Sequence, residues 1–396
     1  MAVSQKTKRM FVLLFACFLG VYIIFLWVTY YNFSKFQNYY KRKIIQNIIR
    51  SIEYDDPTDQ NETNMTGVEI QRLIEIYNKE ERISNLNVFG SLASEAPVFV
   101  ISVDKYKTNF DYLLGSLCNV AGIDDTLIIF SHSYFDERVN RIIESITFVR
   151  VIQIFYPYSR QLIREFADYE EGNEAPNKYV EDSKTLFNIS DIKCLEGFSD
   201  PMQAQKKHFW WWTVDHILEQ LSHTKNHKGM FIFLEDDLFL MQDFIYMTLQ
   251  MKNITKFIFQ SSLISLAIAG GYPSYSEAKM NGVDLKHWDC DEHSSVLAFD
   301  TNIWKSISSQ YELFCNFEDY SWARSLFYLS LHKQGGEFKV IASTIPRAYK
   351  TSEFITVAHE RMEFNTLDMV SRIVEMERVS QSLLYPKKLE VSINLS

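Results

Sequence analysis

The order of apolar and polar positions divides this chain into three stretches. Residues 10–30, MFVLLFACFLGVYIIFLWVTY, carry no charge. At about 1.5 Å per residue such a run crosses a hydrocarbon core of about 30 Å, so it predicts a transmembrane helix. Trp27, Tyr30 and Tyr31 close the run as interfacial aromatics do, where a cleaved signal peptide would offer small residues. Residues 31–95 are charged and broken by DDPTDQNETNMTG, and they finish on a stripe of Ile70, Leu73, Ile74 and Tyr77. That i, i+3, i+4, i+7 spacing predicts a helix at the end of a stem.

From residue 96 onward short apolar runs alternate with helical patterns. PVFVISV precedes a helix with Phe110, Leu113, Leu114 and Leu117 on one face. TLIIFS precedes another with Val139, Ile142, Ile143 and Ile146, and VRVIQIF follows it. A helix through Trp210 leads into GMFIFLEDD, and LISLAIAG, SSVLAFD and EFKVIAS read as later strands. This β-α-β-α-β order predicts an α/β domain with a parallel sheet covered by helices on both faces.

Fifty acidic residues against 40 basic ones give a formal charge of −10, which excludes a basic nucleic-acid binder. Basic residues flank the apolar run on both sides and do not orient it. Asn-X-Ser/Thr acceptors at Asn32, Asn61, Asn64, Asn188, Asn253 and Asn394 are usable only in a secretory lumen. They predict a cytosolic tail over residues 1–9, an anchor over 10–30, a stem over 31–95 and a lumenal domain over 96–396. Cys17 lies in the apolar run, so Cys118, Cys194, Cys290 and Cys315 allow at most two disulfides, in three connectivities. No Cys/His spacing suggests zinc.

Candidate chemistry begins at the strand MFIFL, which ends in Glu235, Asp236 and Asp237. Ligands of open α/β sheets bind at the carboxyl ends of strands, and three carboxylates there repel one another unless a cation or donors compensate. Mg²⁺ or Mn²⁺ with a diphosphate suits such oxygens, although a solvated strand end carries the same acids. Trp210, Trp211 and Trp212 are consecutive, so at 100° per residue they cannot all face one core stripe. Lys206, Lys207 and His208 stand just before them, where cations could meet a diphosphate or merely face water. Glu318 and Asp319 with Trp322 form an acid–indole set that could hold a sugar, or simply open a helix.

Taken in order, IDDTLIIFSHSYF, HFWWWTVDHILE, FIFLEDDLFLMQDF, VDLKHWDCDEHS, FCNFEDYSW and IPRAY resemble the α-1,6-mannosyl-glycoprotein 2-β-N-acetylglucosaminyltransferase family, also called N-acetylglucosaminyltransferase II, over residues 98–350. The resemblance implies a Golgi type II membrane enzyme with a GT-A-like, Rossmann-type domain. It implies inverting transfer of N-acetylglucosamine from UDP-GlcNAc to an N-glycan mannose, with Mn²⁺ on Asp237. The donor pocket it implies comprises Ser102, Val103, Asp104, Lys105, Tyr106, Ser133, Gln205, Lys206, Lys207, His208, Phe209 and Lys350, with Trp322 at the acceptor. A homodimer is left open.

Four positions depart from the family pattern. Its nucleotide-contacting Arg is Tyr106 here, and an acid near the nucleotide is Ser133. Its metal-binding His is Lys350, whose ammonium cannot coordinate Mn²⁺ while protonated. Its catalytic-base Asp is Ala323. Three readings follow. Lys350 replaces the cation, with Glu318, Asp319 or Glu353 as base. Alternatively donor or acceptor has changed, or the chain is a catalytically impaired homologue that binds a glycan or a transferase partner.

Overall fold

The computed structural model describes residues 65–162, 201–258, 262–268, 279–317, 321–334, 336–351, 354–357, 360–363 and 366–395. All belong to one compact unit, Asn61–Ser396. The anchor predicted over residues 10–30 lies outside the described residues. Within them no helix is long and apolar enough to cross a membrane.

Helix α1 (Gly67–Glu80) is the amphipathic segment foreseen at the end of the stem. A capping box starts it, with the Thr66 side chain accepting from Glu69 N–H and the Glu69 carboxylate accepting in return. Its buried Ile70 and Ile74 pack on Phe135 and Phe155. The next elements follow the predicted alternation: β1 (Val98–Val103), α2 (Thr108–Leu117), β2 (Leu127–His132), α3 (Glu137–Glu144) and β3 (Arg150–Phe155). Asp136 caps α3 by accepting from Arg138 N–H at 2.9 Å and Val139 N–H at 3.2 Å.

Then come α4 (Pro201–Asp215), β4 (Phe231–Glu235), β5 (Leu238–Leu240), α5 (Phe244–Ile258), β6 (Ser262–Ser265) and β7 (Gly282–His287). The short α6 (Cys290–His293), β8 (Val296–Phe299), α7 (Thr301–Ser308), α8 (Tyr311–Cys315) and α9 (Trp322–His332) follow. Last are β9 (Lys339–Ser343), β10 (Ala348–Lys350), the hairpin β11 (Phe354–Val357) and β12 (Glu360–Glu363), α10 (Thr366–Val379) and β13 (Glu390–Asn394).

Nine strands form one sheet in the order β13-β7-β9-β6-β8-β4-β1-β2-β3. The run β4-β1-β2-β3 is parallel, as predicted. Beyond it the sheet is mixed: β8 runs antiparallel to both β4 and β6, and β7 runs antiparallel to β9. An apolar run such as VLAF has the same period in either direction, so its pattern carries no information about strand polarity.

Alternation along the central strands feeds two cores. Phe99, Ile101, Phe130, Ile232 and Leu234 meet α2 and α5 on one face. Val98, Val100, Ile129, Phe231 and Phe233 meet Trp210, Val214, Leu326 and Leu329 on the other. The tryptophan triplet spreads around α4. Trp210 stacks on Trp322 at 4.8 Å, Trp211 packs on Trp304 and Phe314, and Trp212 meets Tyr156.

Edge strand β3 is covered locally. Asn78 exchanges hydrogen bonds with the Phe155 backbone at 2.7 and 2.8 Å, and Ser84 bridges Val151. Cys315 is disulfide-bonded, whereas Cys290 carries a free thiol.

Candidate active site

Parallel registry sets the site. Ser102 of β1 stands opposite Glu235 of β4 and Ser131 of β2, so the chain leaves all three strands at one level. Asp104, Ser133, Asp236 and Asp237 therefore gather beyond the carboxyl ends. A cavity of about 360 Å³ opens there. Its sheet-side wall is Ser102, Val103, Asp104, Ser133 and the segment Phe233 to Asp237. Gln205, Lys206, Phe209 and Trp210 of α4 form a second wall, and Lys107, Arg160, Ser294, Ser295 and Trp322 complete it.

Short-range pairing holds these groups in place. Ser133 N–H donates to Val103 O at 2.9 Å, and its hydroxyl donates to Asp104 Oδ1 at 2.9 Å. Strand β5 follows Asp237 directly and pairs antiparallel with β10, placing Lys350 opposite Leu238. Thr351 then donates from both its backbone N–H and its hydroxyl to Asp237 O, each at 2.8 Å. The same pairing brings Lys350 Nζ to Glu235 Oε2 at 2.7 Å. Arg347, three residues earlier, is fully buried on Asp243 at 3.0 Å and also donates to Ile345 O and Met280 O at 2.7 Å.

One of these acids holds its proton more tightly than usual. Burial pushes the Asp236 carboxyl up to about 6; Asp237 and Asp104 add to the rise, while Lys107 and a hydrogen bond from the Asp104 backbone oppose it. His132, the residue before cavity-lining Ser133, is fully buried and stacked on Phe155 at 4.3 Å. Burial drives it down to about 3, so it is neutral.

Of the residues named from sequence, the cavity collects Ser102, Val103, Asp104, Ser133, Gln205, Lys206, Phe209, Trp322 and Asp237. Five others lie elsewhere. Lys105 is exposed over the Tyr134 ring at 4.7 Å. Tyr106 donates its phenol to Asp111 and carries the Arg138 guanidinium 3.7 Å above its ring. Lys207 is fully buried and donates to Phe317 O at 2.9 Å, and His208 is buried beside it. Helical rotation explains the split: residues 205, 206, 209 and 210 share one face of α4, and 207 and 208 turn away from it. Lys350 stands behind Glu235 rather than on the wall. Glu318, Asp319 and Glu353 lie outside the described residues.

Ala323 is buried in the first turn of α9 and accepts no proton. Lys107, Arg160 and Ser295 lie in no motif, and Ser294 closes the motif VDLKHWDCDEHS without having been singled out as a site residue. Asp236 was visible only as the middle of the acid triplet.

The residues present do not fit the two-ligand metal site that the resemblance implies. Asp237 offers a carboxylate, but position 350 holds an ammonium engaged by Glu235. Among the described residues only Asp289, Cys290 and Asp291 converge as three donor atoms, far along the chain at the cap of α6. There the Asp289 carboxylate is already accepting from Asp291 and Glu292 N–H.

Acids and cations gather around one strand-end cavity of a mixed α/β sheet, and the protein that carries it is a glycosyltransferase. It belongs to the N-acetylglucosaminyltransferase II (MGAT2) family, whose sequence model matches residues 71–396. That match begins within α1 and runs past the motifs to residue 396. The human α-1,6-mannosyl-glycoprotein 2-β-N-acetylglucosaminyltransferase is 24% identical over 337 residues, covering 84% of this chain and 75% of that one. The pig protein of the same name is 23% identical over 341 residues, 85% and 76% of the two chains. The Arabidopsis thaliana protein of that name is 30% identical over 239 residues, 60% and 54%.

Proposed function

We propose that this chain transfers N-acetylglucosamine from UDP-GlcNAc, in β-1,2 linkage, to the α-1,6-arm mannose of N-glycans, using a GT-A-like domain. The observation that carries the reading is the acid-and-cation cavity at the ends of β1, β2 and β4, within a chain of this family. In the step, the mannose O2 attacks the anomeric carbon and its bond to the diphosphate oxygen breaks. The hydroxyl proton passes to a carboxylate, and UDP leaves with the electron pair.

Each residue has a stated task in this reading. Asp237, held by Thr351, faces the donor, and Lys350 offsets charge next to it through Glu235. Gln205 and Phe209 border the nucleotide, Trp322 offers its ring to the acceptor sugar, and Glu318 or Asp319 takes the proton. The family's Mn²⁺ carries no step here, because Lys350 replaces one of its ligands. A type II Golgi placement, with the domain in the lumen, completes the reading and rests on residues 10–30 and the sequons.

The test is thermal denaturation of the protein with UDP-GlcNAc, UDP-GalNAc and GDP-mannose, in EDTA and in Mn²⁺. A ligand at about 100 times its Kd adds about 2.7 kcal/mol, or about 3 to 4 °C at this size. UDP-GlcNAc should give that shift, and Asp237→Ala should lose it. A wild-type protein that responds to none of the three contradicts the reading.

A further inference from the structure

A cation beside an acid-lined cavity ordinarily ends in an ion pair, as Lys350 does on Glu235. Arg160 does not. It opens the 3-10 turn Arg160–Leu162 after β3, and its backbone N–H donates to Gln205 Oε1 at 2.9 Å, pinning that turn to α4. Its side chain lines the cavity that also holds Asp104, Glu235, Asp236 and Asp237. Yet among the described residues the guanidinium makes no ion pair, and its Nη1 is buried with no hydrogen-bond partner.

A guanidinium nitrogen held out of water without an acceptor is costly, and an anion in the cavity removes that cost. The carboxylates around the β4 end repel a phosphate and Lys107 acts on Asp236 there, so the wall formed by α4 and the turn after β3 is the one left to attract it. Lys206, exposed next to Gln205, adds charge on the same wall. The planar fork of an arginine suits two phosphate oxygens at once, which a lysine cannot match.

We propose that Arg160 binds the diphosphate of the nucleotide sugar; this contact rests on the transferase reading above. It makes the site select a diphosphate over the bare nucleoside, through a residue from a segment that no motif marks.

The test titrates UDP and uridine into the full-length protein in detergent and EDTA, comparing wild type, Arg160→Met and Arg160→Lys. Arg160→Met should weaken UDP by about 10- to 100-fold, leave uridine within about twofold, and keep the melting temperature of the wild type. Arg160→Lys should recover part of the loss. UDP binding by Arg160→Met within about twofold of wild type would overturn the contact and leave the transferase reading standing. If Arg160→Met fails to fold, Arg160→Lys decides: UDP at least about threefold weaker supports the fork, and unchanged affinity overturns it. A wild type that binds no UDP overturns both.

Discussion

Replacing Lys350 by Met tests the idea that an ammonium stands in for a metal ligand. The change keeps the stem of the side chain and removes one positive charge 2.7 Å from Glu235. That leaves Glu235 without its ion-pair partner at the end of the acid triplet. A unit charge about 7 Å from a phosphate contributes about 2.4 kcal/mol at an effective dielectric of 20 and about 0.6 kcal/mol at that of water. The Lys350 side chain is 21% exposed, so the value falls between these limits. UDP affinity should therefore drop by about 3- to 60-fold. Isothermal titration in EDTA reads this directly. Lys350→His should show the converse behaviour, weak in EDTA and strengthened by Mn²⁺, because imidazole and Asp237 can then share the ion. UDP binding by Lys350→Met equal to wild type, together with Lys350→His indifferent to Mn²⁺, would refute the reasoning.

Three further predictions concern charge and packing. The folded state holds the Asp236 proton more tightly than the unfolded chain, so this group's stabilisation is full below its ordinary 3.8 and fades as pH rises through about 6. Asp236→Asn should flatten the melting-temperature profile across that window and raise stability at pH 7 by about 1 to 3 kcal/mol, the upper value being discounted because the residue is only half-buried. Arg347→Met leaves Asp243 buried and unmatched; denaturant unfolding should show a loss of about 3 to 5 kcal/mol. Gly229→Ala puts a Cβ against the Ala96 carbonyl and the His227 ring at the entry to β4, and reduced soluble yield with a lower melting temperature should follow.

Much of this architecture was legible because it rests on period and apolarity. Val98–Val103, Leu127–His132, Arg150–Phe155 and Phe231–Glu235 are apolar on both faces, and that is what a strand buried between helices requires. The three-residue strands β5 and β10 are too short to show a period, so the pairing that brings Lys350 to Glu235 was invisible. Exposed β13 alternates Val391 and Ile393 with polar residues, a two-residue apolar face too short to stand out. At the site, motif order located Asp104, Ser133, Gln205 and Asp237, but it treated residues 205–209 as one unit. Only the rotation of α4 sends Lys207 into the core to hold the Phe317 carbonyl. Lysine is a poor indicator in this respect, since its long stem lets it serve a buried carbonyl as readily as a phosphate. Arg160 and Lys107 lay in no motif, and only the folding of three loops to one level makes them neighbours of the acids.

The central claim is that this cavity still performs sugar transfer although Ala323 and Lys350 occupy the positions of the family's base and metal ligand. It is tested most directly by incubating the full-length protein in detergent with UDP-GlcNAc and an N-glycan whose α-1,6-arm mannose is unsubstituted, in EDTA, and reading the glycan by mass spectrometry. The glycan should gain one N-acetylhexosamine, and Asp237→Ala should abolish that gain. UDP-GlcNAc that binds while the acceptor stays unchanged, in EDTA and in Mn²⁺ alike, would contradict it and leave a binding protein built on a transferase fold.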